Sequence, residues 1–206
     1  VAVGFALAVT LPRAGNLGGG GFMLVHDAKS GETHAIDYRE TAPGTATRDM
    51  FLDGAGKYDR RKAIGSHLSV GVPGTVAGLA LALERFGSMP LATVIQPAIK
   101  LASTGIPVTR DFSESLTPGR RNRLLAWGFS REKFFKPDGS HYEIGETWRQ
   151  PALAHSLKLI AKDGPNAFYN GEIAERIAED MKSNGGLISI ADLESYRPIL
   201  RKPVRG

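Results

Sequence analysis

The sequence contains no cysteine among its 206 residues. This absence excludes a disulfide framework, a cysteine-ligated zinc site and a thiol nucleophile. Long apolar runs are also missing, because no stretch approaches the roughly 18 consecutive apolar residues that a membrane span needs. Residues 1–9 are apolar, but they are few, lack a basic n-region and include Gly4, so they predict a buried helix and not a signal peptide. With 42% hydrophobic residues, the chain is expected to form a single domain with its own core.

Basic residues outnumber acidic ones, and the formal net charge is +5. The basic residues are spread along the chain, and the one tight cluster is Arg120, Arg121 and Arg123. No aromatic residues interleave with that cluster, as a surface that stacks nucleic-acid bases would require. We therefore favour a basic surface with no nucleic-acid partner, and salt-dependent binding to DNA would test the opposite view.

The apolar pattern predicts an α+β chain that is helix-rich after residue 70. Residues 22–26 and 33–39 flank a glycine-containing turn and predict an antiparallel hairpin, whose nearly all-apolar first strand we expect to be covered on both faces. Before the hairpin, the sequence predicts a helix at 1–11 that is buried on all sides. After it, the sequence predicts a surface loop at 53–62, a helix at 76–86, and a helix at 88–103 that is capped by Ser88 and kinked or split by Pro97. The remaining predicted elements are an excursion at 117–150 that buries Trp127 and Phe129, amphipathic helices at 151–161 and 171–183, and a short helix at 191–196 behind a capping box from Ser189 to Asp192.

Complete catalytic motifs are absent. The segment GSHLS (residues 65–69) lacks the spacing of a nucleophile elbow, and the five histidines show no metal-ligand spacing. GAGK (residues 54–57) lacks the upstream glycine and the following serine or threonine of a phosphate loop. The residues alone therefore predict no complete active site, no metal site and no cofactor site.

Two segments allow a functional interpretation beside a structural one. Gly18 to Gly21 permit positive φ angles and close backbone approach; we favour a tight connection between a helix and a strand over a loop whose amides face a substrate or partner backbone. Arg39 lies at the end of a predicted strand between Asp37 and Glu40. An arbitrary arginine in this setting usually neutralises its neighbours, although its planar fork also suits a carboxylate ligand.

Several segments together resemble the γ-glutamyltranspeptidase family, specifically its bacterial members. In chain order they are GNLGGGGFML (15–24), DYRETAP (37–43), ATRDMFL (46–52), SVGVPGTVAG (69–78), GPNAFY (164–169), NGGLI (184–188) and DLESY (192–196). They run along nearly the whole chain apart from residues 117–150. Each glycine run is common by itself, but the ordered set is specific to the family.

The resemblance implies an N-terminal nucleophile hydrolase with an αββα sandwich, made as a precursor that cuts itself once. The new N-terminal Thr of the small subunit is then the nucleophile, with its own α-amine as the base. It takes a γ-glutamyl group from glutathione or a related amide, holds it as an ester, and passes it to water or an amino acid. No cofactor is implied, and the family is usually periplasmic or secreted.

For this chain the resemblance implies a substrate-binding Arg39, which grips the α-carboxylate of the glutamyl group. It implies no catalytic residue, because the Thr nucleophile is expected beyond Gly206 and the oxyanion donors in the small subunit. Residues 1–206 are thus expected to be a single-domain piece of the large subunit that is inactive by itself. The alternatives are a β-lactam side-chain acylase of the same family and a non-catalytic interaction module.

Overall fold

A computed structural model describes residues 1–116 and 118–204; Thr117, the first residue of the predicted excursion, lies outside the described residues, as do residues 205–206. The described part mixes helices with short strands, which confirms the predicted combination of helix and sheet. The helices are α1 (Ala2–Thr10), α2 (Arg60–Gly65), α3 (Thr75–Phe86), α4 (Leu91–Val94), α5 (Gln96–Thr104), α6 (Arg110–Ser115), α7 (Pro118–Leu125), α8 (Gly128–Phe134), α9 (Pro151–Asp163), α10 (Asn166–Tyr169), α11 (Glu172–Ser183) and α12 (Ile190–Ser195). The strands are β1 (Phe22–Asp27), β2 (Glu32–Asp37), β3 (Ile106–Pro107), β4 (Thr147–Trp148) and β5 (Ile199–Arg201).

The larger sheet has the order β1-β2-β5, with both pairings antiparallel. The β1–β2 hairpin turns at Gly31, whose φ of 72° favours glycine, and this confirms the predicted hairpin. Strand β5 arrives from the far end of the chain and pairs Ile199 with Asp37. The sequence did not predict β5, because a three-residue strand carries too little alternation to be recognised without its partner.

One face of this sheet is exposed. Phe22 and Leu24 on β1 are 64% and 70% exposed, whereas Met23 and Val25, which alternate with them, are half-buried. The inward face packs on α3, where the rings of His34 and Phe86 lie 4.9 Å apart. The expectation that β1 is covered on both faces is therefore wrong for the described chain, because its helices lie on one side of the sheet.

The core lies among the helices. Phe5 and Val9 of α1, Ala98 of α5, and Leu157 and Ile160 of α9 are fully buried there. Helix α1 is not buried on all sides as predicted, because Val3 and Leu7 are exposed. Its inward side packs chiefly on α5.

A proline and an aspartate set where helices α5 and α2 begin. Pro97 lies in the first turn of α5, and α4 ends just before it, which confirms the predicted split. Ser88 is not a cap, since α4 begins only after Pro90. The predicted loop at 53–62 instead contains the start of α2, because the Asp59 side chain accepts a hydrogen bond from the Arg61 amide at 2.8 Å.

The region after α6 consists of short helices, as predicted for the excursion. Trp148 is buried there and stacks on Phe112 at 4.8 Å. Trp127 and Phe129 are exposed, which contradicts the prediction that they fill this region's core. Trp127 instead lies at the junction of α7 and α8, where its ring and that of His67 meet edge to face with their centres 5.1 Å apart.

The remaining predicted helices are close to the observed ones. Helix α12 begins behind the predicted capping box, in which Ser189 and Asp192 satisfy each other's backbone amides. No helix in the described ranges combines the length and apolarity needed to cross a bilayer.

Candidate functional site

Arg39 lies two residues beyond the end of β2, and its backbone amide donates a hydrogen bond to the side chain of Asp37, the last residue of that strand. The amide donates to Asp37 Oδ1 at 3.0 Å, while Arg201 Nε on β5 donates to Asp37 Oδ2 at 2.6 Å. These two hydrogen bonds, the backbone one first, hold the pKa of the Asp37 carboxyl below its usual range. The cation that neutralises Asp37 is thus Arg201 from the far end of the chain, and the side chain of Arg39 is not needed for that task.

The carbonyl of Arg39 is held from the opposite end of the chain. The Tyr196 hydroxyl donates to it at 2.9 Å, and Tyr196 is only 5% exposed. Its ring stacks on Tyr169, with the ring centres 5.7 Å apart and the planes 8° from parallel. Burial, reinforced by the charges of Asp37 and Glu40, raises the pKa of Tyr196 to about 12, so its phenol is neutral and a hydrogen-bond donor at ordinary pH.

Glycines surround the residue before Arg39. Gly21 and Tyr38 exchange two backbone hydrogen bonds, at 3.2 and 2.9 Å. A Cβ at Gly20 would lie 2.8 Å from the Glu40 nitrogen, and one at Gly78 would collide with the Tyr38 side chain. The glycine run therefore makes the tight connection that the sequence favoured, and its packing positions Tyr38 and the residues after it.

The segment after Arg39 is tied to two other parts of the chain. Thr41 and Val72 exchange backbone hydrogen bonds at 3.3 and 2.8 Å. The Gly44 amide donates to Asp192 Oδ1 at 2.7 Å, which joins this segment to α12. The burial of Asp192 counts against ionisation, but the hydrogen bonds from Ser189 and Gly44 outweigh it and lower the Asp192 pKa.

The guanidinium of Arg39 remains open. The side chain is 67% exposed, and its Nε lies 3.3 Å from Glu40 Oε2. Within residues 1–116 and 118–204, neither terminal guanidinium nitrogen has a hydrogen bond or an ion pair. Arg39 thus partly satisfies the charge of Glu40 while it presents a planar pair of donors to solvent, which is the geometry that a carboxylate accepts in bidentate fashion.

A groove of about 1630 Å³ lies elsewhere on the described chain and does not include Arg39. It contains two histidine–carboxylate pairs, His67 with Asp180 at 3.1 Å and His155 with Glu172 at 3.3 Å. In the part of the chain that is described, no cluster of three or more His, Cys, Asp or Glu side chains could hold a metal ion. The groove brings no hydroxyl nucleophile together with a base and an oriented third group, so Arg39 remains the candidate site.

Sequence reasoning identified Arg39 but missed the residues that hold it. The segment DLESY, at residues 192–196, was predicted as a short helix and noted as one of several resembling stretches, but it was not connected to Arg39, and Arg201 was not singled out. Both are more than 150 positions from Arg39 in the chain, so only the folded structure brings them together.

Comparison with known proteins identifies the family of this chain. The family model described as gamma-glutamyltranspeptidase matches residues 1–206. The chain is 51% identical over 206 residues to the glutathione hydrolase proenzyme of Escherichia coli and 38% identical over 209 residues to that of Bacillus subtilis. Each alignment covers 100% of this chain but only 35% of the relative, so the chain spans about a third of the length of these curated proteins.

Solved structures show the same relationship. The γ-glutamyltranspeptidase of Helicobacter pylori matches with a TM-score of 0.95 and 45% identity, covering 98% of this chain and 58% of that one. A cephalosporin acylase from Bacillus halodurans matches with a TM-score of 0.82 and 26% identity, covering 98% of this chain and 38% of that one. By sequence and by structure, the chain belongs to the γ-glutamyltranspeptidase family.

Proposed function

We propose that this chain is part of the large subunit of an enzyme that takes γ-glutamyl groups from glutathione or related amides and transfers them to water or amino acids. Its relatives in Escherichia coli and Bacillus subtilis are named glutathione hydrolase proenzymes, and this supports both the substrate and a precursor that is processed. The contribution of this chain is to bind the donor through Arg39.

The observation that carries the proposal is the open fork of Arg39. Its amide and carbonyl are both held by hydrogen bonds, while its exposed guanidinium meets Glu40 only through Nε. A donor α-carboxylate can accept two parallel hydrogen bonds from the remaining nitrogens, which fixes its orientation as well as its charge. The γ-carbonyl of the same donor is then held at a fixed distance from this anchor, ready for attack.

The nucleophile in this proposal is the N-terminal Thr of a small subunit from the same precursor. Its hydroxyl oxygen bonds to the γ-carbonyl carbon and its proton passes to the Thr α-amine. The C–N bond of the donor then breaks, and the departing amine takes that proton, leaving a γ-glutamyl ester. Water or the amine of an acceptor attacks the ester and the Thr hydroxyl reforms, so the cycle needs no cofactor.

The proposal includes the αββα sandwich of N-terminal nucleophile hydrolases. The larger sheet supports it, since Phe22 and Leu24 on β1 share their exposed face with Ile199 on β5. A second sheet stacked on this face would bury these side chains. Strand β1 is also an edge of its sheet, with backbone groups free to pair with another strand. A periplasmic or secreted location completes the proposal and rests on family membership.

A β-lactam side-chain acylase is the second candidate, and the match to a cephalosporin acylase supports it. The open fork of Arg39 favours the first candidate, because it suits the α-carboxylate of a glutamyl donor. Sequence identity also favours the first candidate, at 45% for the γ-glutamyltranspeptidase structure against 26% for the acylase. Assays of γ-glutamyl anilide and cephalosporin hydrolysis on one sample separate them.

The experiment that tests the proposal is denaturing intact-mass spectrometry of the protein from its complete gene, with a γ-glutamyl anilide assay on the same sample. We expect two chains, the smaller beginning with Thr, together with release of the aniline. One uncleaved species without release would contradict the proposal and favour a non-catalytic interaction module.

A further inference from the structure

We propose that Tyr196 is the positioning residue for Arg39, so that recognition of the donor carboxylate depends on the docking of α12 and β5. This inference rests on the proposed function, because it assigns a task to the backbone contacts of Arg39 in donor binding. Tyr196 reaches the site through the main chain and does not contact the donor itself.

Tyr196 is held rigidly enough to position another residue. It is buried, and its ring lies parallel to that of Tyr169. The hydroxyl of Tyr169 in turn donates to the Pro73 carbonyl at 2.9 Å. The Tyr196 hydroxyl has room to reach Arg39 only because Gly74 has no side chain, since a Cβ there would collide with it. The hydrogen bond to the Arg39 carbonyl is therefore made from a fixed point.

Two further contacts come from the same end of the chain. Arg201 is bonded to Asp37, which itself accepts the Arg39 amide. Asp192 accepts the Gly44 amide. Residues 192–201 thus hold the Arg39 segment before, at and after the arginine, while nothing in the described chain occupies the terminal nitrogens of its side chain.

In this arrangement residues 192–201 position the backbone of Arg39, whereas the Arg39 side chain binds the donor. The fork of Arg39 can be bidentate only if its Cα lies at the right distance from the donor carboxylate, and small misplacements cost much in oriented sites. Loss of the Tyr196 hydroxyl would leave the Arg39 carbonyl without its partner and free the backbone to shift. The chemistry at the γ-carbonyl would remain, so the effect belongs mainly to donor binding.

The test uses Tyr196→Phe in the intact, processed enzyme, because this change removes one hydroxyl and keeps the stacked ring. We expect KM for the γ-glutamyl anilide to rise about three- to tenfold, the range for loss of one net hydrogen bond, with kcat changed less. In an Arg39→Lys background, which has already lost the fork, the same change is expected to alter KM less than about twofold, because residues that act through one another are not additive.

The matched control is Tyr58→Phe, which removes the hydroxyl of a tyrosine that is 62% exposed. The backbone of Tyr58 pairs with Leu52 and not with the Arg39 segment, so we expect KM to stay within about twofold of the parent. Melting temperatures are measured for all variants. If Tyr196→Phe is not processed, the same cycle is run with Arg201→Gln, which releases Asp37 from the other side of the site.

The outcomes distinguish this inference from the proposed function. If the parent enzyme releases no aniline, the proposed function fails and this inference fails with it. If the parent is active and Arg39→Lys is impaired but Tyr196→Phe matches the parent, only this inference fails. An equal rise in KM in both backgrounds, with a lower melting temperature, would show that Tyr196 serves stability alone and would also overturn it.

Discussion

At the scale of single residues, neutralising Asp37 and presenting a fork to a carboxylate ligand are tasks of two different arginines. Asp37 and Glu40 flank Arg39, and the simplest expectation was that Arg39 neutralises both. The fold assigns Asp37 to Arg201 instead, at 2.6 Å. Arg39 is left with one contact to Glu40 and an exposed fork. The Arg39 fork is therefore available for a ligand because Asp37 is neutralised by Arg201, which lies far away in the chain.

Arg39→Lys in the intact enzyme keeps the positive charge but loses the fork. Charge-assisted hydrogen bonds contribute roughly 1.5–3 kcal/mol, so we expect kcat/KM for a γ-glutamyl anilide to fall by about tenfold to a hundredfold or more. Arg48→Lys is the control, because Arg48 is an exposed arginine of the same region. Steady-state kinetics of both variants measure the difference, and an unchanged kcat/KM in Arg39→Lys would remove Arg39 from the site.

The raised pKa of Tyr196 predicts that the stability of the folded chain falls at alkaline pH. Its pKa is raised to about 12 in the folded chain from a reference value of 10.0. Above pH 10 the unfolded chain loses a phenolic proton that the folded chain keeps, so the folded state loses stability as the pH rises from 10 to 12. We expect the free energy of unfolding to fall more steeply over this window in the parent than in Tyr196→Phe, as urea titrations at several pH values would measure. Equal slopes would be inconsistent with a buried neutral phenol.

At the scale of elements, the site depends on close packing between α3 and the residues after β2. Gly78 faces the Tyr38 side chain from within α3, and Gly74, just before α3, lies against the Tyr38 carbonyl. Side chains at these positions would force the helix away from the sheet. The glycines of SVGVPGTVAG thus allow the approach that places Arg39 beside α12.

Gly78→Ala tests this packing. Alanine favours a helix over glycine by about 1 kcal/mol, but here its Cβ collides with Tyr38, and overpacking typically costs about 1–3 kcal/mol. After the helix-propensity gain is subtracted from this cost, we expect a net loss of up to about 2 kcal/mol in the free energy of unfolding, measured by urea titration.

The control for Gly78→Ala is Gly65→Ala, at the end of α2, where a Cβ would meet nothing within 4 Å. We expect this change to be neutral or slightly stabilising. If both variants were stabilised alike, helix propensity alone would account for them, and the contact between Gly78 and Tyr38 would not constrain the site.

At the scale of the whole molecule, the described chain is a helical layer with a sheet whose other face carries exposed apolar side chains. Phe22 and Leu24 contribute the largest exposed side chains of β1. Exposed apolar faces and open strand edges favour association. In the proposed sandwich the same face is covered, so its effect on the molecule depends on whether the second sheet is present.

Residues 1–206 expressed alone are expected to be poorly soluble or to associate. Leu24→Thr should reduce this association, whereas Ile144→Thr, at an exposed position outside the β1-β2-β5 sheet, should not. Size-exclusion chromatography with light scattering makes the comparison. A parent chain that is monodisperse and melts cooperatively as a monomer would contradict the expectation.

In the processed enzyme the same Leu24→Thr change is expected to be harmful, because it lowers the stability of the protein. If a second sheet buries Leu24, replacing it should destabilise the protein by about 2–4 kcal/mol, in the range of large-to-small core substitutions. An unchanged melting temperature would indicate that this face is not covered and would remove the main structural support for the sandwich.

Much of the fold and part of the site could be predicted from the sequence because they depend on local signals. The hairpin at Gly31, the split at Pro97 and the capping box at Ser189 each follow from the conformational limits of one or two residues. The errors concern burial. The predicted coverage of Phe22 and of Trp127 assumed that apolar residues find partners within the chain, and pattern alone cannot say on which side those partners lie.

The sequence by itself determined the family, the order of most elements and Arg39 as the residue to examine, since these depend on residue types and spacings along the chain. Only the tertiary structure decided that Arg201 neutralises Asp37, that Tyr196 holds the Arg39 carbonyl, and that the guanidinium is left open. The physical reason is that the Arg201–Asp37 and Tyr196–Arg39 contacts each join residues more than 150 positions apart. Their proximity comes from the pairing of β5 with β2 and the docking of α12, not from any local preference.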